Sequence, residues 1–573
     1  MKLIFRYIGR HKRIFFLSAF FLTGEAAADL LQPTFMAKIV DNGVADADTG
    51  MIISYGLTML AIALAGALCA VMRNIFAGMT SQAVGHELRC DMYDSVMALS
   101  TENIDALRPS SVITRMTNDV TQVQDFVTSS MRMMVKAPIV CIGATLLIIL
   151  QSPRQTPVIA GVLAVGALLI FLNIRIGYPR FGILQKTQDA LNKVSREFLS
   201  SVRVVKAFNA EPGETEKFNT ACADTARAAT KAHRTAAVFV PLINLTVNFG
   251  TVLILVMAQS GDASQIGRLI ASVNYMTQVA FALGMISNTL NIAARAAASS
   301  ARINEVLEEK PTQRAAASPV VLSKDGSLEF RDVSFAYSGS ARSALSHISF
   351  YVSPGETVGI IGATGSGKST LVSLVLRLYD ANGGQVLIDG TDVTRADSSS
   401  LHAAVAAVTQ KTLLFTGTIR DNIAWGCPDA PFEAVEKASR AACADTFICA
   451  SPDGYDTVLG QGGVNLSGGQ KQRLTIARAL IMKPKILILD DCTSALDAKI
   501  EKAVLDNIRE YAKDTTVLTV SQRVSSVMRA DRVLCIEDGV VCGFAPHGQL
   551  LRDCPAYREI YRSQIGGADD GCE

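Results

Sequence analysis

Before residue 300 the chain carries six long apolar segments, at approximately 14–40, 51–78, 131–151, 156–177, 236–258 and 266–292. A bilayer core roughly 30 Å thick takes about 20 residues of helix, and each segment is long enough to cross it. The second is the clearest, since Met51 to Met72 holds no charge. The first and sixth are weaker, because they carry Glu25, Asp29, Arg268 and several amides. This half of the chain reads as a membrane α-helical bundle of six transmembrane helices.

Composition agrees. Hydrophobic residues make up 49%, charged residues 18%, and the mean hydropathy is +0.29, which suits a membrane region joined to something wetter. At 573 residues the chain has room for about three or four domain-sized units. With 54 basic residues against 52 acidic ones, there is no cationic excess for a nucleic-acid partner. The twelve cysteines include no CxxC pair and read as small buried hydrophobes, not as disulfides or metal ligands.

Lys2, Arg6, Arg10, Lys12 and Arg13 precede the first apolar run, which continues past Glu25 and Asp29 to Ile39 without a cleavage pattern and a hydrophilic mature domain behind it. This predicts a first transmembrane helix with its positive flank in the cytoplasm, and not a cleaved signal. The presumed outer connections, 41–50, 152–155 and 259–265, are short. The inner ones, roughly 79–130 and 178–235, hold Arg and Lys and keep helical periodicity. Helices with long cytoplasmic extensions follow, as do cytoplasmic termini, in a multi-pass protein of the plasma (inner) membrane. The stretch Lys310-Pro311 to Pro319 reads as a linker, after which the texture turns to β alternation. The domains are thus 1–308 (membrane), 309–325 (linker) and 326–573 (a soluble α/β domain).

Gly362-Ala-Thr364-Gly365-Ser366-Gly367-Lys368-Ser369-Thr370 follows an apolar strand and opens a helix. That is the P-loop pattern in its confirming context, so the soluble part is an α/β P-loop ATPase domain. The glycines turn backbone N–H groups toward phosphates, Lys368 reaches the β/γ oxygens of ATP, and the Ser369 hydroxyl ligates Mg²⁺. Lys485–Asp491 is an apolar strand ending in two acids. Placed beside the P-loop strand, it would bring Asp490 near the Mg²⁺ and Asp491 to where a base orients the attacking water. A second glycine-rich turn, Leu466-Ser467-Gly468-Gly469-Gln470, also feeds a helix. Two phosphate-binding turns make sense if each nucleotide is sandwiched between one domain's P-loop and another's second turn.

Together with Gln410 and with Ser494-Ala-Leu-Asp497, these motifs resemble the ATPase domain of an ABC transporter. The whole chain resembles a half-transporter of the exporter type. The resemblance implies that Tyr337 stacks on adenine, that Gln410 touches Mg²⁺ and water, and that Asp497 communicates between two sites. It also implies that the tracts Gly85–Val120 and Ser195–Glu211 are inner loops whose short coupling helices rest on ATPase domains.

Three positions depart from the family's competent pattern. Asp491 stands where glutamate is usual, which draws the carboxylate back by about 1.5 Å. Gln522 replaces the switch histidine and cannot carry a proton as imidazolium. Gln461 replaces an acid before the signature turn. With Leu466–Gln470 intact, the pattern resembles the degenerate-site subunit of a heterodimeric ABC exporter, whose unlike partner holds the competent site. A homodimer with slow ATPase activity, an exporter-fold importer of a siderophore-like chelate and a soluble ATPase of chromosome or repair type are the alternatives. In the first span, Glu25, Asp29 and Gln32 share one helix face. They are either a cation-preferring surface for a small amphipathic or drug-like substrate, a packing contact to Arg73 or Lys136, or an interfacial position near the helix end.

Overall fold

The structure, a computed structural model, describes residues 1–258, 266–313, 316, 318–323, 325–340 and 342–565. The expected outer connection 259–265 and part of the expected linker lie outside them. The chain divides into two compact units, one of Met1–Ala98 with Leu107–Glu309, the other of Leu99–Ala106 with the chain from Lys310 onward.

In the first unit a short helix, Lys2–Arg10, buries Leu3, Ile4, Tyr7 and Ile8. The first, second, fourth, fifth and sixth apolar segments become the helices Lys12–Lys38, Thr49–Ala98, Thr156–Ala207, Glu211–Ala258 and Ile266–Glu308. The third lies in a helical rod, Pro109–Gln151, with wide turns at Arg115–Asp119 and Ser130–Met134. Among the described residues, five of these elements are long and apolar enough to cross a membrane. Thr156–Ala207 runs for 52 residues, far more than the ~20 a bilayer needs, so the predicted inner loops are largely helix. It turns into Glu211–Ala258 at Phe208, which is 79% exposed.

The motif Arg115-Met-Thr-Asn-Asp119 earns its place by charge. Asp119 is fully buried and accepts from Arg302 Nε at 2.7 Å and from Ser299 Oγ at 2.9 Å, both on the sixth helix. A buried carboxylate without such donors would be prohibitive.

In the second unit an antiparallel sheet of β1 (Leu328–Phe335), β2 (Leu345–Val352), β4 (Gly383–Ile388) and β5 (Thr391–Asp392) has the order β2-β1-β4-β5. A six-stranded sheet is built from β3 (Thr357–Ile361), β6 (Val405–Val408), β9 (Ile486–Asp490), β10 (Thr516–Val520), β11 (Arg532–Glu537) and β12 (Val540–Ala545), in the order β12-β11-β3-β10-β9-β6. A small hairpin joins β7 (Gly417–Thr418) to β8 (Val458–Leu459). All pairings in the larger sheet are parallel except β11 with β12. Strands β3, β9 and β10 are buried at nearly every position, as a sheet covered on both faces requires.

Two expectations need correction. The strand ending in Asp490 does not lie beside the P-loop strand: β10 runs between them, pairing with β3 on one side and β9 on the other. The cysteines are not uniformly buried. Cys492, Cys535 and Cys554 are, whereas Cys90, Cys222 and Cys449 on helices and Cys542 on β12 are exposed, since a surface tolerates a small thiol as readily as a core does.

Candidate nucleotide-binding site

The loop after β3 is shaped by glycines that a side chain would break. A Cβ on Gly362 would meet the Ile536 carbonyl oxygen at 2.1 Å, and Gly367, at φ 100°, caps the helix Lys368–Val375 in the left-handed region. The N-terminal turn of that helix and the loop face a cavity of about 390 Å³ lined in part by Tyr337, Thr364, Gly365, Gly367, Lys368, Ser369 and Thr370. Gly362 and Ser366 do not line it; Ser366 is buried, and both shape the loop from behind. The Lys368 Nζ donates to the carbonyls of Gly362 at 2.9 Å and Ala363 at 2.7 Å, and burial pulls its pKa down despite the nearby carboxylates. Tyr337, exposed at the rim, hydrogen-bonds Thr370 Oγ1 at 3.1 Å through its hydroxyl.

Gln410, Asp490, Asp491 and Gln522 face the same cavity. The inserted strand explains how. Val520 pairs with Asp490 in register, and the Asp491 N–H donates to the Val520 carbonyl at 2.8 Å, so the ends of β9 and β10 deliver both acids and Gln522 to one place. Gln410 Nε2 donates to Asp491 Oδ2 at 3.3 Å, and the Thr364 hydroxyl reaches Gln522 Oε1 at 3.5 Å. Asp491 is itself left-handed, with φ 46°, a conformation aspartate tolerates better than most side chains. Burial raises the pKa of both acids, opposed at Asp490 by a hydrogen bond from Ser369 and at Asp491 by one from Gln410. Ser369, Gln410 and Asp490 offer only oxygen donors, and a buried carboxylate held by a hydroxyl suits Mg²⁺, whose remaining ligands would come from phosphates and water.

The signature turn lies in a different recess, about 350 Å³, lined by Ser467, Gly468, Gly469, Arg473, Ala495, Leu496, Asp497 and Ile500. Ser467 and Gln470 form a reciprocal cap on the helix Gly468–Leu480, and Leu466 packs on the neighbouring core, so Leu466 and Gln470 hold the turn while Ser467 to Gly469 face the recess. Asp497 caps the helix Ala498–Tyr511 by accepting from the N–H groups of Lys499 and Ile500. The recess sits apart from the P-loop cavity, and the two share no lining residue.

The intramembrane residues separate. Glu25 is buried and paired with Arg73 Nη1 at 3.0 Å and Lys136 Nζ at 2.5 Å; Lys136 also meets Asp29 at 2.8 Å. Glu25 therefore makes the packing contact to both Arg73, which is buried, and Lys136, which is half-buried. Only Asp29, with its side chain 41% exposed, and the half-buried Gln32 stay available.

Sequence reasoning missed three residues that hold the site. Glu501 is buried and accepts from Thr493 at 2.8 Å and Ser526 at 2.6 Å, tying the segment after Asp491 to the one after Gln522. Gln564 donates to the Gln522 carbonyl at 2.7 Å and accepts from the Val524 N–H at 2.8 Å. Gln472 accepts from Ala495 N at 3.0 Å. Only Glu501 left a signal, an acid one turn after Asp497 on an otherwise polar helix face.

Comparison with known proteins gives concordant matches. A family model described as "ABC transporter transmembrane region" matches residues 15–283, and one described as "ABC transporter" matches residues 345–494. The chain is 36% identical to an uncharacterized ABC transporter ATP-binding protein of Bacillus subtilis over 95% of each. It is 32% identical to an ATP-dependent lipid A-core flippase of Aromatoleum aromaticum, over 90% of this chain and 86% of that one. A solved structure of a bacterial Atm1-family ABC exporter with ATP bound aligns with a TM-score of 0.80 at 25% identity, covering 97% of this chain and 99% of the other.

Proposed function

The chain belongs to the ABC transporter family, as an exporter-type half-transporter, and from that premise we propose that it is the degenerate-site subunit of an unlike pair. Proteins of this kind bind ATP with Mg²⁺, couple its hydrolysis to transport and work as dimers in a lipid bilayer. The single observation that carries the proposal is the contrast between two recesses of one ATPase unit. The cavity with Lys368 and Ser369 holds Asp491 and Gln522, a shortened acid and an amide, whereas the signature turn is intact, with Ser467, Gly468 and Gly469 lining its own recess.

In a head-to-tail sandwich the signature turn serves the partner's nucleotide. Asp491 would hold a water too far back, and Gln522 would bind the γ-phosphate without a charge to relay, so this P-loop cavity keeps ATP while the partner's cavity cleaves it. Bound Mg²⁺ would neutralise charge on the β- and γ-phosphates, with Ser369, Gln410 and Asp490 holding it. Asp497, beside the signature turn, is suited to sensing the other nucleotide. Sandwich closure biases the membrane unit outward, and hydrolysis at the partner's site resets it.

The cargo we propose is a small amphipathic molecule, a class in keeping with similarity to a flippase, moved out across the plasma membrane with the ATPase unit in the cytoplasm. The decisive experiment compares ATP turnover by the purified chain in lipid, alone and with its partner. Turnover that is slow alone and rises with the partner is expected, and Ser467→Arg in this chain should then abolish the gain. Brisk turnover alone, indifferent to Asp491→Asn, would discard the unlike pair.

A further inference from the structure

Between the second and third membrane helices, Leu99–Ala106 belongs to the ATPase unit and carries the short helix Thr101–Leu107. Three side chains fasten it there, the first being Ser100, whose hydroxyl meets Thr312 Oγ1 at 2.7 Å. Asn103 is buried and accepts from the Thr312 N–H at 3.0 Å while donating to the Lys310 carbonyl at 3.1 Å. That is a fixed anchor to the chain entering the ATPase unit. Asp105 is exposed and accepts from the Tyr379 hydroxyl.

Tyr379 is in turn part of the wall behind the nucleotide cavity. Its ring meets Tyr337 edge to face, with centroids 5.3 Å apart at 85°, and tilts against the buried Phe335 at 5.7 Å. Its backbone is braced as well. Arg377 pairs with Asp380 at 3.1 Å, and Gln313 donates to the Arg377 carbonyl at 2.9 Å. A turn held this firmly leaves the Tyr379 ring little freedom except to follow Tyr337. Burial and the facing Asp105 carboxylate raise the phenol's pKa, so the hydroxyl keeps its proton and stays a donor at any physiological pH.

We propose that Tyr379 is a positioning residue through which occupancy of Tyr337 by a nucleotide base sets the placement of Leu99–Ala106. This rests on the reading of Tyr337 as the base platform. A base stacking on Tyr337 fixes that ring, the edge-to-face contact fixes Tyr379, and the phenol–carboxylate bond fixes Asp105. Because Leu99–Ala106 is covalently continuous with the second and third membrane helices, the purine ring is read by the coupling segment separately from the phosphates. A triphosphate without a base would fill the P-loop and leave this path silent.

The test is hydrogen–deuterium exchange of the peptide 99–107 in the full chain, reconstituted in lipid, with saturating MgATP or magnesium tripolyphosphate. In the unmodified protein ATP should slow exchange by about tenfold more than tripolyphosphate, the lower end of the worth of one charge-assisted hydrogen bond. In Tyr379→Phe the two ligands should give equal exchange while ATP affinity stays within about twofold, since the ring and its packing remain. Asp105→Asn keeps an acceptor and should behave as the unmodified protein; Asp105→Ala should behave as Tyr379→Phe. ATP-specific protection that survives in Tyr379→Phe, or is absent in the unmodified protein while Tyr337→Ala weakens ATP binding, overturns the relay alone. Unchanged ATP affinity in Tyr337→Ala removes the platform reading, and the relay with it.

Discussion

Gln278 donates from Nε2 to the main-chain carbonyl of Asp29 at 3.0 Å, and Pro33, four residues further along the same helix, is the reason that carbonyl is free. A proline has no N–H to return to residue i−4, and lipid offers no substitute donor. One residue on, the Tyr275 hydroxyl reaches the Leu30 carbonyl at 2.8 Å and Thr34 Oγ1 at 2.7 Å. The sixth membrane helix therefore repairs the backbone of the first where the proline opens it, and the two are joined by more than side-chain packing.

Replacing Gln278 with Leu should destabilise the detergent-solubilised protein by about 1 kcal/mol, the usual worth of a hydrogen bond at membrane depth. In a Pro33→Ala background, where residue 33 regains its N–H, the same change should cost almost nothing. Thermal denaturation of the four proteins in a double-mutant cycle checks this; simple additivity would refute the repair.

Glu25 balances Arg73 and Lys136, and it does so nearly out of contact with solvent. Glu25→Gln should leave both cations facing Asp29 alone and destabilise the membrane unit by about 3 kcal/mol. Adding Arg73→Met should recover part of that loss. Export of cationic and neutral dyes by Asp29→Asn separates a packing role from a substrate role, because only the latter changes the preference between the dyes.

Restoring the missing methylene and imidazole should restore chemistry. The double substitution Asp491→Glu/Gln522→His is expected to raise ATP turnover by the self-paired chain by about 10²-fold, a typical contribution of a well-placed base. Each single change should achieve less. Turnover that stays flat in the double variant would place the defect elsewhere, with Gln461 next to be tried.

The buried acids also set a pH dependence. Burial raises the Asp490 pKa above its unfolded value, so the folded state binds the extra proton more readily and stability falls as pH rises through that interval. At neutral pH the ionised, desolvated Asp490 works against folding. Asp490→Asn should therefore raise the thermal midpoint of the nucleotide-free protein at pH 7, and the gain should shrink as pH drops into the ordinary carboxylate range. A gain that grows on acidification would reverse the sign argued here.

Much of this was legible in the residues because short-range physics writes it there. The P-loop needs glycines where a Cβ would strike Ile536, and the signature turn needs a hydroxyl and an amide three residues apart to cap its helix. What escaped were contacts set by non-local pairing. That β10 runs between β3 and β9 is a choice of strand order, which hydrophobic patterning does not encode. Gln564 and Gln472 act on backbone groups of loops distant in sequence, Glu501 on the hydroxyls of Thr493 and Ser526, and a polar residue on a helix does not declare its partner. Glu25 shows the same limit: the one-dimensional reading left substrate and packing open, and its approach to both Arg73 and Lys136 is visible only in three dimensions.

The linear chain alone determined the architecture of apolar helices followed by an ATPase domain, and the P-loop and signature-turn motifs within it, since hydropathy and turn chemistry are local properties. Tertiary structure decided which of those residues share a cavity, which buried charge neutralises which, and that Leu99–Ala106 packs as part of the ATPase unit. Those depend on groups brought together from far along the chain, where distance and burial, not residue type, set the energy.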